Sequence, residues 1–389
     1  LEEDNSGSWR WLFGDSLKLP VPAASGVSIE TDKGLICIGG SNAEGALRQV
    51  IRVKWNREDQ QITCEMLPDL PYPLTSMGGA IIDGIIYLIG GQHDVNGPAT
   101  KVFLSLDLGN EGSESFDWEE LNTFPGEARI NPVVVAQSNG QVEALIVLSG
   151  RNYQPGQLRP HKLHSDVYTY NPKSGQWTRK NDLPNNDTPG VEGGFLGAAP
   201  AVRHGGAHVL VFGGAGGSNQ HLYERMQLEA AVTKLQKQPG SEIEVDSINA
   251  LIKDLIRTTS FSRTAWGYHT ITDTWVQLGT LPGPGQVVTS AVKFKNDIVI
   301  PGGELSPGVR TNKVIRGVFS PYSNSFGLLN YITLGAYLAL IVWMGWYFSK
   351  RNHSTDDYFL GGKRVPWWAA GLSIYATLLS ACLLYTSDA

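Results

Sequence analysis

Short runs of apolar, often β-branched residues recur along most of the chain, and five of them end on a pair of small residues. Ile85 to Ile89 is an example, entered from the turn Asp83-Gly84. This pattern is typical of antiparallel strands. The pairs are Gly39-Gly40, Gly90-Gly91, Ser149-Gly150, Gly213-Gly214 and Gly302-Gly303. Copies of roughly 50 to 90 residues predict an all-β propeller, with one four-stranded sheet in each copy.

A second signal follows the first in most copies. A tryptophan precedes an apolar residue and a proline, as in Trp118 to Phe124-Pro125, Trp177 to Leu183-Pro184 and Trp275 to Leu281-Pro282. The ring can cover an outer strand, and the proline stops sheet pairing because it has no N–H to donate. We therefore read these positions as the outer edges of the blades.

One copy is longer than the others, because residues of about 218 to 260 change to helical periodicity. Leu228, Ala231, Val232 and Leu235 recur at three- and four-residue steps, and Pro239-Gly240 separates two helical pieces. A loop insertion is favoured over a lid on the binding face.

The C-terminal part has a different pattern, since residues 327–348 carry no charge. A helix of this length reaches about 33 Å and could cross a membrane. Lys350 and Arg351 follow, and the positive-inside tendency would place them in the cytoplasm and the propeller on the outer side. A second apolar helix is expected from about residue 366.

Composition limits the possible functions. The chain has 31 basic and 37 acidic side chains, and its net charge of −6 argues against a nucleic-acid partner. Cys37 and Cys64 are expected to be buried free thiols. His161, His164 and Asp166 could be metal ligands, but 166–172 matches an ordinary strand and turn, so no metal is expected in the propeller.

The residue after each small pair differs between copies, and we expect these positions to meet at one end of the propeller, where binding sites usually form. They are Ser41, Gln92, Arg151, Ala215 and Glu304. Glu304 and Arg310 are the predicted catalytic residues, and Arg151 with Asn152 is predicted to bind substrate. Substrate binding is also assigned to Ser41, Asn42, Gln92 and His93, for which the alternative of solvated loop residues stays open.

Residues 302–311, Gly-Gly-Glu-Leu-Ser-Pro-Gly-Val-Arg-Thr, resemble the active-site loop of the N-acetylneuraminate mutarotases, also called epimerases. That family consists of six-bladed kelch-type propellers. The resemblance covers residues 9 to 319, with the blades in cyclically permuted order and the N-terminal part of the propeller missing. It implies that Glu304 is the base, that Arg310 pairs with the substrate carboxylate, and that no cofactor takes part.

Residues 354–368, Ser-Thr-Asp-Asp-Tyr-Phe-Leu-Gly-Gly-Lys-Arg-Val-Pro-Trp-Trp, and 371–377 are similar to the start of the sodium:solute symporters. In that family the second helix is interrupted and its free carbonyl groups hold Na⁺. By this resemblance Ala376 and Leu379 would offer those carbonyls.

Together these patterns predict a six-bladed propeller over residues 1–320, a linker over 321–326 and the start of a symporter over 327–381. Residues 382–389 resemble a translated sequencing-library adaptor and are excluded. The predicted function is an extracytoplasmic, periplasmic mutarotase for sialic acid, fused to a sodium-coupled importer in the inner or plasma membrane. Two alternatives are a sugar-binding receptor without chemistry and a kelch platform for protein interactions.

Overall fold

The structure is a computed structural model, and it describes part of the chain. The described residues are 2–3, 9–10, 14–56, 58–154, 161–184, 196–214, 219–238, 240, 242–258, 261–318, 327–350 and 375. The chain divides into two compact units, Leu1–Gly317 and Val318–Ala389. The predicted linker, the second apolar helix, Ala376, Leu379 and the excluded octapeptide lie outside the described residues.

In the described residues of the first unit, five antiparallel sheets of three or four strands form the blades, one for each copy of the repeat. Blade 1 has the strands Val27–Thr31, Gly34–Ile38, Val50–Asn56 and Gln61–Met66, and blade 2 has Gly78–Ile82, Ile85–Ile89, Phe103–Asp107 and Glu119–Glu120. Blade 3 has Val133–Ser138, Glu143–Leu148, Val167–Asn171 and Gln176–Lys180, and blade 4 has Ala201–His204, His208–Phe212, Thr264–His269 and Thr274–Thr280. Blade 5 has the three strands Val292–Phe294, Asp297–Ser306 and Val309–Val318.

The all-β propeller is confirmed, but the predicted count of six blades is not met in the described residues. Five repeats form five sheets because each sheet grows from the apolar strand of one repeat. Two short strands near the start, Glu2–Glu3 and Trp9–Arg10, pair only with each other and join no blade. The remaining short elements are the 3₁₀ turns Asp15–Leu17 and Leu108–Asn110 and two hairpins, described below with the site.

Backbone hydrogen bonds connect the blades at their inner ends. Just before its first strand, each blade has one residue with positive φ that is not glycine: Ser25, Ser76, Asn131, Ala198 and Val288. The N–H of each of the last four donates to the carbonyl of the residue before it in this series, at 2.8, 2.7, 3.0 and 2.9 Å. We call these five residues the axial arc. The arc fixes the spacing of neighbouring blades through main-chain atoms alone.

Apolar side chains fill the space between neighbouring sheets. Ile36 of blade 1 and Leu88 of blade 2 are fully buried in one such layer, and Leu145 and Val147 of blade 3 pack with Phe103 of blade 2 in the next. Burying one such side chain stabilises the fold by about 1.5 to 3 kcal/mol. The strands Ile85–Ile89, Glu143–Leu148 and His208–Phe212 are buried at nearly every position, so their sequences read as continuous apolar runs.

The tryptophans lie on or beside the outer strands, as the sequence predicts. Trp177 and Trp275 belong to the outer strands of blades 3 and 4, and Trp118 directly precedes that of blade 2. The indole N–H of Trp118 donates to the Pro68 carbonyl at 2.9 Å and so connects blade 2 to the end of blade 1. Both cysteines are free, but Cys64 is exposed rather than buried, because it lies on the outermost strand of blade 1.

The insertion in blade 4 is confirmed as two helices, Asn219–Leu235 and Glu242–Thr258, which pack against each other. In the second unit Leu328–Ser349 is a helix, as predicted. Across the described part of the chain, however, none of the helices combines the length and apolar character that membrane crossing requires. The predicted membrane crossing is therefore unsupported.

Two buried arginines form ion pairs between blades. Arg52 of blade 1 is fully buried, and its Nη1 and Nη2 donate to the two carboxylate oxygens of Glu111 in blade 2 at 2.6 and 3.1 Å. Arg129 makes the same double contact with Asp166 of blade 3, at 2.7 and 2.9 Å. Hydrogen bonds from Arg52 and Lys33 lower the pKa of Glu111 to about 2.

Replacing Glu111 with glutamine should lower the free energy of unfolding by about 2 to 4 kcal/mol, because the buried Arg52 charge then keeps only Glu65 as a counter-ion. The native pKa lies below the unfolded value near 4.5, so the stabilisation is complete above pH 4.5. It disappears as the pH falls from there towards 2. Urea unfolding of both proteins across this pH range measures the effect. The matched control is Glu143→Gln, which removes an exposed pair with Arg203 and should cost less than about 1 kcal/mol.

Val288 is the β-branched member of the axial arc, and its φ of 54° is unfavourable for such a side chain. Val288→Asn should raise the free energy of unfolding by about 1 kcal/mol, because asparagine tolerates this conformation better and the valine is 37% exposed. The matched control is Val292→Asn, at a similarly exposed strand position without positive φ. That change should leave stability unchanged or lower it. Equal effects of the two substitutions in thermal unfolding would contradict the strain at Val288.

Candidate functional site

The residues that follow the small pairs occupy equivalent backbone positions in four blades. Each forms an antiparallel bridge with the residue just before the axial arc of its own blade: Ser41 with Ala24, Gln92 with Thr75, Arg151 with Ile130 and Glu304 with Val287. In blade 5 the two N–H···O distances are 2.9 and 3.1 Å. Ala215, the fifth position, lies outside the described residues. The other four thus hold the same place in the backbone pairing of their blades, and we call these positions the mouth.

The glycine pair allows this close approach. Gly302 and Gly303 have φ values of 61° and 108°, which are open to glycine and strained for other residues. A Cβ atom on Gly303 would lie 2.7 Å from the carbonyl oxygen of Val287, the residue that bridges to Glu304. The second glycine therefore lets the chain turn back against the arc and brings Glu304 to the mouth.

Alternate blades extend past the small pair as two-stranded ribbons. In blade 1 Ser41–Asn42 pairs with Gly45–Ala46, and in blade 3 Arg151–Tyr153 pairs with His161–Leu163. In blade 5 the strands Asp297–Ser306 and Val309–Val318 continue into the same kind of hairpin. Arg151, Glu304 and Arg310 thus lie on hydrogen-bonded ribbons rather than on irregular loops.

Glu304 and Arg310 come together across their hairpin, with 3.6 Å between Glu304 Oε1 and Arg310 Nε. Their exposure differs sharply, since the Glu304 side chain is 19% exposed and that of Arg310 is 65% exposed. Solvent screens an exposed pair, so this contact contributes little to stability. The contact matters for the placement of charge, because the exposed guanidinium of Arg310 lies on the solvent side of the largely buried Glu304 carboxylate.

Arg151 lies deeper than Arg310. Its Nε is closed to solvent and has no hydrogen-bond partner among the residues that the structure describes. Burial lowers the pKa of Arg151, while Tyr153 on the same ribbon and Glu304 from blade 5 raise it. Glu304 is therefore within electrostatic range of Arg151.

Two glutamines add buried acceptors near the mouth. The Gln92 side chain donates to the Val95 carbonyl at 2.7 Å, but its Oε1 is buried and has no partner in the described part of the chain. Gln286 is two positions before Val288 in the chain, and its side chain donates to the Lys313 carbonyl. Its Oε1 is also buried and has no partner among the described residues. No sequence pattern pointed to Gln286, because it is not at the position that the repeats share.

Other predicted binding residues make local contacts. Asn42 Oδ1 accepts the Glu44 N–H at 2.9 Å, which is a turn contact. His93 is exposed, packs edge-on against Tyr72 and contacts the Pro73 carbonyl through Nδ1. Asn152 Oδ1 accepts from Gln154. Ser41 is half-buried at its bridge position. The contacts of Asn42 and His93 favour the alternative of loop residues.

The histidine-rich segment of blade 3 has a structural role in the described residues. Asp166 accepts both hydrogen bonds from Arg129, and His164 is buried beside this pair, with its pKa lowered by burial and by Arg129. No group of three His, Cys, Asp or Glu side chains in the described ranges is placed to hold a metal ion.

The chain is similar to known proteins of one family. Residues 67–333 match the family model described as N-acetylneuraminate epimerase. The N-acetylneuraminate epimerases of Salmonella typhimurium and Haemophilus influenzae are each 27% identical over 253 and 255 residues, which is 65% of this chain and 58% and 59% of theirs. A solved structure titled "Structure of YjhT" aligns with 66% of this chain and 68% of its own, at 21% identity and a TM-score of 0.47.

The chain therefore spans less than two thirds of the length of these curated relatives. The family model covers well over half of this chain, including four of the five blades and the loop with Glu304 and Arg310. On this match, together with the repeat and the bridge positions that four blades share, the chain belongs to the N-acetylneuraminate epimerase family.

Proposed function

We propose that the propeller interconverts the anomers of N-acetylneuraminate, with Glu304 as the base. The observation that supports this proposal is the placement of Glu304. It is a carboxylate at the shared mouth position, largely buried, with a guanidinium 3.6 Å away and a second one near enough to interact electrostatically. The relatives are named for an activity on this sugar.

Ring opening requires two proton transfers and the breaking of one bond. Glu304 takes the proton of the anomeric hydroxyl, the bond between the anomeric carbon and the ring oxygen breaks, and the ring oxygen takes up a proton from water. The open keto form then turns about the bond to its carbonyl carbon. Ring closure on the other face forms the bond again, releases the proton of the attacking hydroxyl to water and returns the proton from Glu304 to the new anomeric hydroxyl. A positioned base of this kind accelerates a reaction about 10²- to 10⁴-fold.

The mouth residues provide the groups that this chemistry needs. Glu304 is held by a backbone bridge on a ribbon, so its carboxylate has a defined position. Arg310 lies beside it on the solvent side and limits the directions from which a sugar can approach. The buried acceptors of Gln92 and Gln286 suit hydroxyl or amide donors of a sugar. The six-bladed, cyclically permuted arrangement remains part of this proposal.

Replacing Glu304 with glutamine should lower the catalysed rate of anomer exchange about 10²- to 10⁴-fold, because the amide has nearly the same shape and cannot accept the proton. Exchange NMR with N-acetylneuraminate measures the rate, and ligand-observed NMR measures binding, which should persist. The matched control is Glu44→Gln, an exposed carboxylate at the tip of the blade 1 ribbon, which should keep the wild-type rate.

Three results would contradict the proposal, and each indicates an alternative. Wild-type exchange in the Glu304→Gln variant would exclude Glu304 as the base. Sugar binding by the wild-type chain without faster exchange would indicate a receptor. Absence of sugar binding would indicate a platform for protein interactions.

The fusion to a sodium-coupled transporter, its Na⁺ site and an extracytoplasmic position of the propeller are further proposals that rest on the sequence. The symporter-like segment follows the propeller closely, and a mutarotase tethered to an importer would supply the anomer that the importer accepts at high local concentration. The helix Leu328–Ser349 has no charged residue.

After expression, the chain should remain in the membrane fraction through carbonate extraction, and protease added from the outer side should reach the propeller. The variant Leu338→Lys with Leu340→Lys should be released by extraction, since each charge at a helix centre costs about 2.5 to 3.5 kcal/mol on insertion. Release of the unchanged chain by carbonate would contradict the fusion proposal.

A further inference from the structure

Arg151 is a half-buried cation whose charge is incompletely balanced. Its Nε is closed to solvent and lacks a hydrogen-bond partner among the described residues, although Nε is a strong donor. Tyr153 and Glu304 both raise its pKa, but only the Glu304 carboxylate is charged near neutral pH. No hydrogen bond or ion pair between Arg151 and Glu304 is present in the described part of the chain. A partly desolvated charge without a close partner is costly, so this position favours the arrival of an anion.

The two guanidinium groups of the mouth therefore differ in what they can do for a ligand. Arg310 is 65% exposed and already lies against Glu304. In water, a pair between Arg310 and a ligand carboxylate would add little. Arg151 is half-buried, with its Nε closed to solvent, before the ligand arrives, and hydrogen bonds to a charged group are stronger where water is partly excluded. The ligand carboxylate should thus gain more from Arg151 than from Arg310.

The ribbon of blade 3 keeps Arg151 in place. Arg151 pairs with Leu163 across the ribbon and bridges to Ile130 at its base, so its backbone is bonded on both sides. Tyr153 is two positions further and lies on the same face, while Asn152 and its partner Lys162 lie on the other face. A side chain held in this way needs little ordering when the ligand binds.

We propose that Arg151, rather than Arg310, is the main receptor for the carboxylate of the sugar acid and sets the preference of the mouth for anionic over neutral sugars. This inference rests on the proposed function for the identity of the sugar. Arg310 then acts as a positioning residue for Glu304. The guanidinium of Arg151 donates to the carboxylate oxygens, and the anomeric carbon next to that carboxylate is thereby held for Glu304.

The experiment compares binding of N-acetylneuraminate with binding of its neutral methyl ester, by calorimetry or ligand-observed NMR on the full chain. The wild-type chain should bind the acid at least about tenfold more tightly than the ester. Arg151→Gln should weaken acid binding about 10- to 100-fold, the range expected for hydrogen bonds to a charged group. It should leave ester binding nearly unchanged, so that the preference disappears.

Two further variants separate the roles. Arg310→Gln should keep the preference for the acid and lower kcat of anomer exchange, whereas Arg151→Gln should mainly raise KM. Arg151→Lys should restore part of the acid binding, because the charge returns without the planar fork. The matched control is Lys162→Met, which removes a positive charge from the opposite face of the same ribbon and should change neither ligand's affinity.

The results that would refute the role of Arg151 differ from those that would refute the mutarotase activity. Loss of the preference in Arg310→Gln, its persistence in Arg151→Gln, or equal wild-type binding of acid and ester would each overturn the assignment to Arg151. A wild-type chain that prefers the acid but does not accelerate exchange would refute the mutarotase proposal, while the carboxylate receptor would stand. Circular dichroism of Arg151→Gln checks its fold, and the Arg151→Lys variant tests the assignment if the glutamine variant does not fold.

Discussion

The axial arc is the constraint on which the positions of the other residues depend. A propeller blade is a sheet that must be held at a fixed distance from the next one, and here main-chain hydrogen bonds of 2.7 to 3.0 Å set that distance at the inner ends. All five arc residues have positive φ, and the three in the middle present their N–H to one neighbour and their carbonyl to the other. The alignment of the blades therefore does not depend on the side chains of the mouth.

The same arc explains why functional side chains of different blades can meet. The residue before each arc position bridges to the residue after the small pair, so the arc places Ser41, Gln92, Arg151 and Glu304 by backbone geometry. Side-chain identity is then free to differ among copies. Because the repeat fixes the backbone and leaves this one position variable, it can bring a hydroxyl, an amide, a guanidinium and a carboxylate to equivalent positions, although these groups are far apart in sequence.

Sequence patterns predicted the features that repeat and missed those that depend on chain contacts. The small pairs and outer tryptophans have a fixed residue type because positive φ or a large ring is required there, so they could be found. The arc could not be found, because Ser25, Asn131 and Val288 share a conformation and no chemistry. The pairing of Arg52 with Glu111 crosses 59 residues and leaves no periodic signal. The count of six blades came from a family resemblance and not from the repeats, of which there are five.

The proposed preference for an anionic ligand is compatible with the acidic composition of the chain. The chain has a net charge of −6, yet around Glu304 the structure places two guanidinium groups for one carboxylate. Electrostatic attraction acts mainly within about 8 to 10 Å at ordinary salt concentrations, so this local excess of positive charge matters more than the net charge of the whole chain.

Val288, the arc residue next to the bridge that holds Glu304, has a positive φ, which is least favourable for a β-branched side chain. Such strain persists where the surrounding structure determines the backbone. Here the Val288 N–H donates to the Ala198 carbonyl, and the preceding residue, Val287, exchanges two hydrogen bonds with Glu304.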